Sequence, residues 1–89
     1  MLVSPDLNEV RHLVENIFQR LGVDPAEFVD MLEVPKVDEG RCIARSYRLD
    51  RYLAMWLIDV GILQFYDDEG RMLYRTNLFS DVKLPSLAA

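Results

Sequence analysis

Apolar residues recur at helical spacing near the start of the chain. Val10, Leu13, Val14, Ile17, Phe18 and Leu21 fall three and four positions apart and therefore share one helix face. Ser4 is placed to cap this helix, Pro5 suits its first position and Gly22 stands where a C-terminal glycine ends one, which predicts a helix over about 5–21. A second helix is predicted over about 24–33. Asp24 can cap it, Pro25 follows, Glu27 can reach back to the cap, and Phe28, Val29, Met31 and Leu32 supply an apolar face before Pro35 stops it. Segment 34–40 reads as a polar connector.

Residues 41–78 fit two templates. Read as strands, the chain breaks at Leu49-Asp50, at Asp59-Val60-Gly61 and at Asp67-Asp68-Glu69-Gly70, which leaves strands at about 41–48, 51–58, 62–66 and 71–77 and a tail at 78–89. These pieces hold Tyr47, Tyr52, Trp56, Phe65, Tyr66 and Tyr74, the aromatic enrichment expected of a sheet. Read as a helix, Leu49, Tyr52, Leu53, Trp56, Leu57 and Val60 share one face, and a following hairpin would make a winged helix. The opposite face of that helix, with Met55, Ile58 and Ile62, is too apolar for an exposed recognition surface, which favours the strands. The predicted fold is a single α+β domain spanning 1–89, with two N-terminal helices packed on a three- to four-stranded antiparallel β-meander; the alternative is a winged helix.

From Tyr52 to Leu78, 27 of the 89 residues, the run Ala54-Met55-Trp56, then Leu63-Gln64-Phe65-Tyr66 with Gly70, then Arg75-Thr76, resembles small uncharacterised bacterial proteins with two helices and a β-meander. The resemblance implies a meander of strands and brings no function with it.

Composition narrows the function. The chain carries ten Lys plus Arg against fifteen Asp plus Glu, a net charge of −5, so non-specific coating of nucleic acid is disfavoured. The charge is unevenly placed. Residues 1–39 hold three cations against nine carboxylates, a net of −6, whereas residues 40–89 hold seven against six, a net of +1. One cysteine, Cys42, allows no internal disulfide, and no signal peptide or membrane span is read, so the expected address is cytoplasmic.

Candidate chemistry is sparse. His12, the only histidine, lies opposite the apolar stripe of its helix between Glu9 and Glu15 and reads as a solvated imidazole. Cys42 has no base near it in sequence and reads as a small buried strand residue. The acidic run 67–70 lacks the alternating ligands of a calcium loop and reads as a hairpin turn. No enzyme activity, cofactor or metal is expected. The informative polar feature is the group Arg41, Arg45, Arg48 and Arg51. Arg45 beside Tyr47 on one strand face would form a cationic and aromatic patch able to grip an acidic ligand, unless these arginines pair with the acidic helices.

Residues 52–58 leave no polar face, which describes a central strand covered on both sides; a second subunit is the expected second cover. The sequence therefore predicts a non-enzymatic interaction module, a homodimer that also binds an acidic protein partner. Its candidate interaction residues are Arg45, Tyr47, Arg48, Arg51 and Trp56. The alternative function is DNA binding by a winged helix.

Overall fold

The computed structural model describes residues 6–78. The predicted cap Ser4 and Pro5, and the tail beyond Leu78, lie outside the described residues. Helix α1 (Leu7–Arg20) starts at Asp6, whose side chain accepts from the Glu9 N–H while the Glu9 carboxylate accepts from the Asp6 N–H. This reciprocal capping box satisfies two backbone donors that the first turn leaves free. At the other end the Val23 N–H reaches back to the Phe18 carbonyl and the Gly22 N–H to Gln19, with Gly22 at φ +108°. That left-handed residue closes a Schellman motif and turns the buried Val23 onto the helix end.

The second predicted helix is instead one 3-10 segment, Pro25–Asp30, capped by Asp24. Its apolar pattern does not form a fully buried face, since Val29 is exposed, Phe28 packs half-buried against the core and Met31, just beyond the segment, enters it. The end of that predicted helix and most of the segment read as a connector form the first strand, β1 (Leu32–Asp38). Pro35 favours extended backbone in Val34 before it, so the residue that appeared to stop a helix sits within a strand. An edge position tolerates its missing N–H.

β2 (Arg41–Leu49), β3 (Tyr52–Leu57), β4 (Ile62–Tyr66) and β5 (Met72–Asn77) follow the predicted pieces closely. The sheet is an antiparallel meander in chain order, β1 to β5, so it has five strands where three to four are predicted. Residues 46–60 are strand, turn and strand, so the winged helix does not form and the DNA-binding alternative loses the recognition helix it was built on. Glu39 and Gly40 both take positive φ in the β1–β2 turn, the backbone that tight hairpins with right-handed twist require.

α1 lies on one face of the sheet. Val10, Val14, Ile17 and Phe18 pack against Tyr47, Ala54, Trp56, Leu63 and Phe65, with Phe18 and Phe65 edge to face at 5.5 Å between centroids. The Tyr52 hydroxyl donates to the Leu21 carbonyl at 3.1 Å and ties the helix end to β3. The fold is thus two-layered, helix on sheet.

Candidate interaction face

The strand register fixes which side chains share each face. Beneath α1 run two ladders across the five strands, Glu33–Tyr47–Ala54–Phe65–Tyr74 and Pro35–Arg45–Trp56–Leu63–Thr76. Alternation sends the intervening residues to the other side. There three ladders cross the sheet: Leu32–Arg48–Leu53–Tyr66–Met72, Val34–Ser46–Met55–Gln64–Arg75, and Lys36–Ala44–Leu57–Ile62–Asn77. No described element covers this second face.

The five candidate residues divide between the two faces. Tyr47 is fully buried and Trp56 nearly so, both under α1. Arg45 lies on that side too; its Nε donates to Glu33 Oε2 at 3.0 Å, and its Nη2 lies 3.0 Å from the same oxygen in an ion pair. Arg11 of α1 approaches the other Glu33 oxygen at 3.6 Å and Glu15 at 3.5 Å. Burial opposes the Arg45 charge, but the hydrogen bond and ion pair with Glu33 outweigh it and hold the guanidinium pKa above its ordinary value. Burial, reinforced by the neighbouring Glu33 carboxylate, pushes the Tyr47 phenol up to about 12. Glu33 and Arg45 lie close enough to bias that ionisation, yet neither meets the hydroxyl in hydrogen-bond geometry. The Tyr47 Oη and Trp56 Nε1 have no hydrogen-bond partner among the described residues. Arg45, Tyr47 and Trp56 therefore form part of the core and its polar margin, and do not make the expected exposed patch.

Arg48 and Arg51 remain at the surface. Both are exposed, and among the described residues neither has an ion-pair partner, in contrast with Arg41, which pairs with Asp59. They line a depression of about 450 Å³ whose floor is Leu53, Met55 and Tyr66, with Asp67, Asp68 and Gly70 at its rim. Tyr66 is held in place by its hydroxyl, which donates to Gln64 Oε1 at 2.8 Å. A second depression of about 310 Å³, bordered by Val34, Lys36, Ala44 and Ser46, shares Met55 with the first. The two depressions adjoin at Met55, and together they mark a shallow trough on the open face.

Along its ladders the charge of this face is one-sided, and the carboxylates near it, Asp67 and Asp68, stand at the rim. Of its ladder positions Lys36, Arg48 and Arg75 are cationic and none is Asp or Glu, although the chain as a whole is acidic. At the rim the Asp67 carboxylate accepts from the backbone N–H groups of Arg71 and Glu69 and from the Arg71 side chain. Those bonds, the Arg71 backbone donor foremost, lower its pKa. Asp67 is thus engaged in its own turn.

His12 is exposed on α1, and the half-buried Cys42 directs its thiol at the Ala44 carbonyl of its own strand, 3.4 Å away. Among the described residues no three His, Cys, Asp or Glu side chains converge, and no helix is long and apolar enough to cross a membrane. Sequence reasoning missed Lys36, Met55, Gln64, Tyr66 and Arg75 as neighbours. Strand alternation carries that signal once the fifth strand is recognised. Comparison with protein-family models, with curated proteins and with solved structures finds no match for this chain.

Proposed function

We propose that this chain is a small non-enzymatic protein-interaction module whose working surface is the open sheet face. The observation that carries the reading is the face itself: apolar at Leu53, Met55, Leu57 and Ile62, bordered by three cations, and without a carboxylate in any of its ladders. These four side chains are half-buried by their strand neighbours with no described element packed on them, and apolar surface rimmed by polar residues marks interaction sites. Five strands about 4.8 Å apart and three rungs about 6.8 Å apart give roughly 24 × 20 Å, a footprint at the low end of specific protein interfaces.

The charge distinguishes between partners. Two copies meeting face to face would oppose six ladder cations with no ladder carboxylate between them, leaving only Asp67 and Asp68 at the rim to offset them, so the open face suits an acidic protein partner better than a second copy. The lone Cys42, with no disulfide partner, agrees with a cytoplasmic setting.

The test is a photo-cross-linking amino acid placed at Gln64 on the open face and, separately, at His12 on the exposed side of α1. A discrete protein adduct from position 64, absent from position 12 and lost in the Met55→Glu background, is the expected result. Equal adducts from both positions would remove this surface from consideration.

A further inference from the structure

We infer that the occupant of the open face is an acidic amphipathic α-helix of a partner protein, laid along the trough from Lys36 through Met55 to Arg48 and Arg51. The inference rests on the reading of this face as the working surface and adds the shape and charge of what binds there.

The shape follows from hydrogen bonding. In the interior of the sheet, at β2, β3 and β4, backbone N–H and C=O groups are committed to neighbouring strands, so a segment lying on the face finds side chains and few backbone partners there. Such a segment must satisfy its own backbone, which a helix does and an extended strand does not. The opposite face is already covered this way by α1, and a second helix would complete a three-layer arrangement. Strand addition at the edges is the competing mode. It meets Pro35 and a bulge between Lys36 and Val37 at β1, and another bulge at the β4–β5 pairing, all devices that blunt an edge.

The trough sets the length. From Lys36 on β1 to the Tyr66 position on β4 is three strand spacings and two rungs, roughly 20 Å, or about 13 helical residues. The helix would place apolar side chains three and four residues apart over Met55 and Leu53, where the flexible thioether of Met55 can adapt to them. Its carboxylates would meet Lys36 at one end and Arg48 with Arg51 at the other. The chain's own residues 79–89 match this poorly in composition, with Asp81 balanced by Lys83 and Pro85 breaking the run.

The probe is a fluorescein-labelled synthetic helix of 16 residues with leucines on one face and glutamates flanking them, titrated by anisotropy with the full chain in low salt. Binding with a Kd in the micromolar range is expected, at least about tenfold weaker for the same peptide with lysine in place of glutamate. Met55→Glu and the double variant R48E/R51E should each weaken it by about tenfold or more, and raising salt to 0.3 M should weaken it further. Circular dichroism of each variant establishes that it is folded. No binding of the glutamate peptide, equal binding of the lysine peptide, or binding unaffected by Met55→Glu would overturn the inference. A 20 kDa species in sedimentation that Met55→Glu abolishes would overturn it in favour of a second copy, and an intramolecular cross-link from position 64 to residues 79–89 in favour of the tail. If position 64 captures a protein while the glutamate peptide fails to bind, the helix is wrong and the interaction face stands; if both fail, the face falls as well.

Discussion

Glu33 on β1 accepts a hydrogen bond from the Nε of Arg45 on β2 at 3.0 Å and lies 3.0 Å from its Nη2, in a diagonal pairing beneath α1 that leaves each side chain only about one-fifth exposed. Arg11 adds a longer contact from the helix, so one carboxylate joins two strands and the helix. Substituting Arg45→Ala would leave a half-buried carboxylate with only the distant Arg11 and should cost about 1–3 kcal/mol. The exposed Arg48→Ala should cost no more than about 0.5 kcal/mol. Urea unfolding of the two variants checks the difference. Equal, small losses would show that the Glu33–Arg45 pair behaves as a surface ion pair.

Tyr47 offers a pH signature. Its phenol is pushed up to about 12 in the fold, against 10.0 when unperturbed, so between those values the folded state holds a proton that the unfolded chain has released. The stabilisation is complete below pH 10 and is lost as pH rises toward 12, with a total on the order of 2–3 kcal/mol. Tyr47→Phe should flatten that alkaline limb. At neutral pH it should be neutral or stabilising by up to about 1 kcal/mol, because the hydroxyl it removes is buried without a partner. Thermal melts of both proteins from pH 8 to 11.5 would decide; a Phe variant with the same alkaline slope as the parent contradicts the assignment.

Much of the fold was legible because its punctuation is chemical. Asp50, Gly61 and Gly70 mark the turns of the meander, and all three take positive φ. β1 was not legible because Pro35 is ambiguous: it ends helices and also sits in edge strands, and the alternation of Leu32 and Val34 about Glu33 is only three residues long. The candidate site was half legible for a related reason. Period-two alternation groups Arg45 with Tyr47 and Arg48 with Ser46, but it does not say which group the helix will cover. The partner that decides it, Glu33, lay in a segment read as helix.

The capping box predicts a local effect. Asp6→Ala removes the acceptor for the Glu9 N–H and a negative charge at the helix start, and should cost about 1 kcal/mol. Asp6→Asn or Asp6→Ser should recover most of that loss. Chemical denaturation of the three variants tests the ranking, and an alanine variant as stable as the parent would mean that the helix begins elsewhere.

Pro35 should act mainly on solubility. It lies on the edge strand opposite Arg45, on a stretch whose Leu32, Val34 and Val37 are all exposed. An unprotected edge of such composition is a template for another strand, and a residue without an N–H interrupts the row of donors that template needs. Pro35→Thr supplies the donor, keeps an extended preference and removes no core contact. Its equilibrium stability should stay within about 0.5 kcal/mol of the parent, the range for surface changes. Its tendency to associate should rise, seen as light scattering that grows with concentration and incubation at 37 °C. A lysine at Val34 in the same background should suppress that rise, since charge on an edge opposes strand pairing. Should Pro35→Thr lose stability and remain monomeric, the proline is acting through chain stiffness in the unfolded state, and the edge of β1 is guarded by its bulge alone.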